Sequence, residues 1–337
     1  MWPKRKLGCW SAILNNDLRP SEHDSDGFSL CKHKETNMHY HTINQDLNMS
    51  RLVHGYWRAH EWQSDAQGYL KLIHEVLDLG INTFDHAACY GGFINEGQFG
   101  EALKLEKSLR DQMTIVSKCG ISFPNEALPQ MKSKFYDNSA EHIIWSAERS
   151  VKELNCDHLD LLLMHRPSPC LNPEEVAAAF DNLYSRGLVR HFGVSNYSTQ
   201  KFNMLQSYVN QTLATNQIEI SPLHIAPFED GSLDYLLEKR VKPMAWSPLA
   251  GGQLFDGSDE QSQRVAQALL KAGEAYNETR IDTLAYAWLL NHPSGMMPIV
   301  GSGKIERVKN AVDALTIRFS EEAWINVYSA ALGHEVP

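Results

Sequence analysis

The chain has 337 residues, 43% of them apolar and 21% charged, enough for one large hydrophobic core or two of medium size. Its 31 basic and 41 acidic side chains leave a formal net charge of −10, which argues against an extended nucleic-acid groove and restricts anionic ligands to local basic patches. No apolar run reaches the roughly 18 residues that span a membrane. The six cysteines (Cys9, Cys31, Cys89, Cys119, Cys156 and Cys170) form no C-x-x-C pair, the pattern of a reduced, cytoplasmic protein.

The basic start, Met1 to Lys6, is followed by a short apolar piece, Leu7 to Leu14, interrupted by Gly8 and Ser11. Asn15-Asn16-Asp17 ends it without a small-residue cleavage pattern, so no secretion signal is expected. Residues 1–37, with the polar run Pro20 to Gly27, have little to bury and read as a loosely ordered extension upstream of a start at Met38 or Met49. His39 and His41 alternate with Tyr40, as in a short strand rather than a metal-ligand pair.

Beyond residue 38 a regular strand–helix alternation sets in. Arg51–Gly55 reads as a strand, Ser64–Leu79 as an amphipathic helix closed by Gly80, and Thr83–Asp85 as the next strand. A helix from about Gly97 to Leu105 and a strand Met113–Ser117 follow, then a helix from the Ser139 cap to Leu154 with Ile143, Ala147, Val151 and Leu154 on one stripe. Leu159–Met164 is almost continuously apolar, as a strand covered by helices on a parallel sheet should be. Pro173 opens a helix ending at Gly187, and the strands His191–Val194, Leu213–Gln217, Pro243–Trp246 and Pro298–Val300 complete the set. Between the last two lie a helical insertion over about 260–276 and a helix over 283–290 that Asp282 caps; helices over 305–314 and 321–332 close the chain. Eight strand–helix units without a Pro/Ser-rich linker predict an α/β fold, a single closed (β/α)8 barrel over residues 38–337 with extra helices near the C-terminus.

In such a barrel the ligand-binding residues lie at the carboxyl ends of the strands. Here those ends carry Asp85 with Tyr90, Lys118, His165, Ser195-Asn196, Gln217, Trp246-Ser247 and Gly301-Ser302-Gly303. An acid, a phenol, a lysine and a histidine converging from three successive strands suggest proton chemistry, because a cation beside a phenol lowers its pKa from about 10. Each residue alone is more often a packing residue; the four together are hard to explain by packing. No G-x-G-x-x-G follows a strand, so a Rossmann phosphate turn is absent. A metal-dependent hydrolase would need more ligands than His165 and Asp85, and no H-x-H stands on the first strand.

The runs Phe84-Asp85-His86-Ala87-Ala88-Cys89-Tyr90-Gly91, Ser117-Lys118-Cys119-Gly120, Leu161 to Pro167 and Phe192-Gly193-Val194-Ser195-Asn196 resemble the motifs of the aldo-keto reductase superfamily, in order. Ala245 to Gly252 and Ile299 to Lys304 continue the resemblance, which is most like the bacterial YdhF-type oxidoreductase branch and runs from about residue 38 to the C-terminus. The resemblance implies NADPH-dependent reduction of a small aldehyde or ketone. Tyr90 would donate the proton, Lys118 lower its pKa, Asp85 hold Lys118, and His165 orient the carbonyl. Ser195, Asn196 and Gln217 match residues that bond the nicotinamide amide, and Trp246 one that stacks on it. The Ser247–Gly252 loop, with Leu249 and Gly251, would cradle the pyrophosphate by its amides. Gly301, Ser302 and Gly303 open a helix suited to phosphate, and Lys304 and Arg307 would contact the 2′-phosphate. Many relatives continue Arg-x-x-Glu-Asn; this chain has Arg307-Val308-Lys309-Asn310-Ala311, so Asn310 enters the cofactor set without the usual acid and amide. A cofactor-binding sensor with little catalysis is the alternative on the same fold. Partners expected are the small carbonyl substrate, no nucleic acid and no membrane, with the protein a monomer or weak homo-oligomer. Cys89 and Cys119 flank the tetrad and read as packing residues. Tyr56, Trp57, Phe93 and segment 122–138 are the expected substrate-pocket wall.

Overall fold

Eight short segments rich in Val, Ile, Leu and Met pair side by side, all parallel, and close on themselves. They are β1 (Val53–Gly55), β2 (Thr83–Asp85), β3 (Thr114–Cys119), β4 (Leu159–Met164), β5 (Val189–Ser195), β6 (Leu213–Glu219), β7 (Met244–Trp246) and β8 (Met297–Val300). Each neighbours the next in sequence, and β8 returns to β1 through the Ile299↔Val53 and Val300↔His54 pairs. The computed structural model describes residues 38–337 other than 45, 127 and 258, so the loosely ordered extension expected for residues 1–37 lies outside the described residues.

The period-2 alternation of a strand divides the core in two. On β4, Leu161 and Leu163 point into the barrel with Val53, Val116, Ala214, Met244 and Met297. Leu162 and Met164 face the surrounding helices and join the larger outer core. Ile43, Leu47 and Met49 join the inner cluster from an antiparallel hairpin, Tyr40–Ile43 with Leu47–Ser50. The first of those strands was expected; its partner was not, although Asn44 and Asp46 between them are turn-forming residues and Asn44 adopts φ 48°.

The helices start where polar caps place them. Asp65, Ser139, Asn172, Ser198, Asp259 and Ser320 each accept an otherwise unpaired amide of a first turn. Asp282 does not cap the helix Ile281–Leu290; Arg280 holds that position, and Asp282 lies in the first turn. Helices Asn95–Leu105 and Ala140–Glu153 approach closely at Gly100, where a Cβ would stand 1.9 Å from the Glu153 carbonyl oxygen. Helix Ile281–Leu290 and the final helix Glu321–Leu332 are joined by Trp288 and Trp324, stacked at 4.6 Å, each indole N–H donating to the other's backbone carbonyl.

Candidate active site

Strand register brings the first two site residues together. Asp85, the last residue of β2, pairs with Val116 of β3, and Lys118 lies two residues further on, on the same side of that strand. The Lys118 ammonium donates to both Asp85 carboxylate oxygens at 2.8 Å, to the His86 carbonyl at 2.7 Å and to Tyr90 Oη at 3.0 Å. Its side chain is fully buried, and that of Asp85 is nearly so. A buried ion pair persists when its remaining hydrogen-bonding capacity is met, and here Gln217 Nε2 adds a further donor to Asp85 Oδ1 at 2.8 Å.

Tyr90 opens a tight turn, Tyr90–Gly92, whose Gly91 has φ 59° and no room for a Cβ: that atom would stand 1.9 Å from Asn95 Oδ1. Asn95 in turn donates to the Tyr56 and Trp57 carbonyls at 2.8 and 3.0 Å, tying the turn to the loop after β1. Behind the turn the buried Glu96 accepts from Ser117 Oγ (2.6 Å) and Ser150 Oγ (3.0 Å), and Arg149 donates to the Phe93 carbonyl at 2.7 Å.

The expected lowering of the Tyr90 pKa is not what this arrangement gives. Burial, reinforced by Asp85 and Cys89, pushes the phenol well above its ordinary value, with Arg166 opposing. Lys118 is itself pulled below the ordinary lysine range by burial, and Asp85 acts against that pull. The physical reason is first the burial of the phenol and then the nearby Asp85 carboxylate, which opposes a second negative charge. Tyr90 is therefore held protonated. Lys118 has only donors, so Tyr90 Oη accepts from it and the phenol's own hydrogen is left for another acceptor.

His165 follows β4 and meets the Tyr90 ring edge-on, centroids 5.7 Å apart. Burial and the Lys118 charge keep it well below the ordinary histidine pKa, hence neutral. Cys89 Sγ lies 3.6 Å from His165 Nδ1, and burial pushes that thiol up to about 11. A protonated thiol can donate to Nδ1 of a neutral imidazole, and in that pairing the ring hydrogen sits on Nε2. Cys89 packs against the Ala88, Phe93 and Leu128 cluster and also touches the site histidine. Cys119 is packing, with Sγ against Leu163 O and Met164 Sδ.

Asp85, Tyr90 and His165 open onto a cavity of about 790 Å3 that runs round the carboxyl ends of the strands. Ser195, Asn196, Gln217, Trp246, Ser247, Leu249, Gly251, Gly301, Ser302 and Arg307 all line it. Asn196 adopts φ 60° and is fixed by Trp246 Nε1, which donates to its Oδ1 at 3.0 Å, and by its own Nδ2, which donates to Ser195 Oγ at 2.8 Å. The loop after β7 has left-handed Ser247 (φ 50°) and, after Pro248 and Leu249, a left-handed run of Ala250 (φ 50°), Gly251 (φ 66°) and Gly252 (φ 107°). Such a run turns successive amides toward one side, as anion-binding loops do. Ala250 and Gly252 engage their amides within the turn, on the Ser247 and Leu249 carbonyls, so they do not contribute.

Three expected cofactor residues stand outside the cavity wall. The Cβ position of Gly303 faces the Trp62 indole at 2.7 Å, so its smallness serves packing. Lys304 is the N-cap of helix Ile305–Asp313 rather than part of its first turn, and its side chain is exposed. Asn310 is held between Asp282 Oδ2 and Arg280 Nη1, both at 2.8 Å. Of the expected substrate wall, Trp57, Phe123 and Tyr136 line the cavity. Tyr56 is instead buried against His86, Phe99 and Trp62, and Phe93 packs on Phe123.

The model of the Aldo/keto reductase family matches residues 51–331. The chain belongs to the aldo/keto reductase family. It is 48% identical to oxidoreductase YdhF of Escherichia coli over 293 residues, 87% of this chain and 97% of that protein. It is 43% identical to the uncharacterized oxidoreductase YcsN of Bacillus subtilis (87% and 98%), and 40% identical to a 6-dehydroglucose reductase of Agrobacterium fabrum (87% and 98%). The fold is similar to that of the thermostable aldo-keto reductase Tm1743, with a TM-score of 0.74 at 24% identity over 87% of this chain and all of that one. The protein is therefore an oxidoreductase of a family that reduces carbonyl compounds with a nicotinamide cofactor, and no helix among the described residues is long and apolar enough to cross a membrane.

Several wall residues of this aldo-keto reductase had escaped the sequence. Arg166 directly follows His165 at a strand end, and that position was signal enough. Arg58 sits on a loop, Phe255 on the short helix Gln253–Asp256, and Asp282 and Tyr286 on a helix that reaches the cavity only through the packing of helix Ile281–Leu290 beside β8.

Proposed function

We propose that the protein reduces an aldehyde or ketone to the alcohol with NADPH, and that Tyr90 supplies the proton. The observation that carries this reading is the Lys118 ammonium donating to Tyr90 Oη at 3.0 Å on the wall of a deep cavity, beside a neutral His165. A bound nicotinamide cofactor would supply hydride to the carbonyl carbon. The carbonyl oxygen gains negative charge and takes the Tyr90 hydrogen, so that hydride and proton together make the alcohol. His165 Nε2–H donates to the same oxygen and fixes its direction. The Lys118 charge stabilises the tyrosinate left behind, and Asp85 keeps that lysine in place. The tyrosinate recovers its proton from solvent through the cavity mouth.

The residues present fit a nicotinamide dinucleotide. Trp246 offers a partly exposed ring on the wall, and the Gln217 carboxamide stands beside it with its nitrogen engaged on Asp85. Gly251 and Gly252 have nothing within 4 Å of a Cβ position, an open approach to the left-handed loop. Arg307 lies further along the same cavity. The free thiols of Cys89, Cys119, Cys156 and Cys170 accord with a cytoplasmic location. The test is NADPH oxidation by the purified protein against a panel of aldehydes and ketones that includes an oxidised sugar. Turnover of at least one member supports the reading. Tight NADPH binding without turnover of any member sinks it in favour of a cofactor sensor.

A further inference from the structure

The Tyr90 end of the cavity carries positive charge that the reduction does not use. Lys134 and Arg166 both line the wall there. Both act electrostatically on His165; Lys134 also acts on Cys89 and Arg166 on Tyr90. Neither forms an ion pair among the described residues; the close pairs lie elsewhere, such as Arg110–Asp160, Lys118–Asp85 and Arg280–Glu278. Arg166 instead holds its guanidinium 5.6 Å from the Trp246 ring centre. The carboxylates on the described wall are Asp85, which Lys118 neutralises, and Asp282, which lies on helix Ile281–Leu290 beside β8. The chain as a whole carries a formal charge of −10, so this cluster is not the edge of a generally basic surface.

The location of Lys134 separates it from the cofactor side. The candidate cofactor residues come from β5 to β8 and the segments that follow them. Lys134 lies in the excursion after β3, just before the short strand Phe135–Tyr136 that pairs with Ile121–Ser122. Phe123 and Tyr136, from the same excursion, add rings to the wall. Exposed lysines are normally solvated and unremarked, but an unpaired lysine and an unpaired arginine on one cavity wall form a site for an anionic oxygen group, with Arg matching carboxylate or phosphate in a two-bond fork.

We propose that the physiological substrate is an anionic carbonyl compound, an aldehyde or keto group on a molecule bearing a carboxylate or phosphate, and that Lys134 and Arg166 bind the anion while Tyr90 and His165 meet the carbonyl oxygen. This rests on the carbonyl-reductase reading and narrows it. Interactions of this kind act on ground and transition states alike, so they appear in KM more than in kcat.

The experiment compares 4-formylbenzoate with its methyl ester, and glyceraldehyde 3-phosphate with glyceraldehyde. The expected result is a kcat/KM at least about tenfold higher for one anionic member over its neutral partner at low salt, the gap shrinking in 0.5 M salt. The pair that shows it distinguishes carboxylate from phosphate. Lys134→Ala should lower that ratio three- to tenfold through KM, and Arg166→Lys, which keeps the charge and loses the fork, should retain only part of it where Arg166→Ala abolishes the Arg166 share. Lys132→Ala, on the same segment but off the cavity wall, should leave it alone. Neutral partners turned over as well as the anions, or ratios indifferent to Lys134→Ala, would overturn the anion proposal and leave carbonyl reduction standing. Should no carbonyl be reduced, calorimetric titration with benzene-1,4-dicarboxylate decides: binding weakened by Lys134→Ala sustains the anion site while the reductase reading falls, and no binding overturns the proposal as well.

Discussion

Lys118 reaches Tyr90 Oη over 3.0 Å while holding Asp85 through both carboxylate oxygens, so one buried ammonium links the acid to the phenol. The lysine's charge is balanced in the resting site by Asp85. Its pull on Tyr90 therefore matters most once the phenol has given up its proton, when tyrosinate becomes a second anion beside the same cation.

That arrangement separates the roles of the two side chains. Tyr90→Phe removes the proton and should lower kcat by at least about 10²-fold with cofactor affinity little changed. Lys118→Met should lower kcat comparably and should also destabilise the fold, by about 3–5 kcal/mol, because it leaves Asp85 buried without its cation. Kinetics and thermal melts of the two variants check this. A Tyr90→Phe protein with near-full turnover sinks the mechanism, and an unchanged melting temperature for Lys118→Met sinks the account of the pair.

The thiol–imidazole contact makes a separate prediction. Burial holds His165 below its ordinary pKa and Tyr90 above its own, so neither titrates at its usual value. The rate of reduction should accordingly show no acid limb near pH 6.5 and no basic limb near pH 10. Cys89→Ala removes the Nδ1 partner at 3.6 Å and frees the ring to adopt either tautomer. Turnover should fall about three- to tenfold, and Cys89→Ser, which restores a donor, should recover most of it. Imidazole nitrogen shifts in a 15N-labelled protein report the tautomer directly; an Nδ1–H form in the wild type contradicts the assignment.

Much of this was legible in the chain because barrels write their sites at strand ends. Asp85, Lys118 and His165 are each at or beside the end of a nearly continuous apolar run, so the hydrophobic pattern that marks the strand also marks the residue. Ser195, Gln217 and Trp246 were found in the same way. What could not be read depends on burial and on what each side chain faces. The raised Tyr90 pKa is not legible in the chain, because it depends first on how deeply the phenol is buried and then on Asp85 standing beside it as a second charge. Gly303 and Asn310 were misplaced because a glycine beside a helix start and an amide in a helix look alike whether they face a ligand, an indole such as Trp62, or an acid such as Asp282. Tyr286 and Asp282 were invisible since their helix reaches the cavity by tertiary packing alone.

The two charges at the far end of the cavity set the last prediction. Arg307 and Asp282 both line the wall and both bear on Tyr286, whose pKa burial raises most, with Asp282 adding to that rise and Arg307 opposing it. Asp282 is fixed by the Thr283 amide at 3.0 Å and Asn310 Nδ2 at 2.8 Å. NADPH differs from NADH by the adenosine 2′-phosphate, which carries close to two negative charges. Arg307 would grip that phosphate, and charge-assisted bonds of this kind contribute about 1.5–3 kcal/mol. Arg307→Ala should weaken NADPH roughly ten- to a hundredfold and leave NADH nearly unchanged. Asp282 acts in the opposite sense: a carboxylate on the same wall repels the phosphate, and removing one charge at the distance and screening of a wet cavity is worth on the order of 1 kcal/mol. Asp282→Asn keeps an oxygen for Asn310 and should raise the preference for NADPH over NADH about fivefold. Added salt should compress both effects, because it screens the extra phosphate charge. Dissociation constants of both cofactors for the wild type and the two variants, by fluorescence titration at two ionic strengths, decide the matter. Equal losses of NADPH and NADH in Arg307→Ala would assign Arg307 to the helix or the adenine and remove the basis for an NADPH preference at this end of the site.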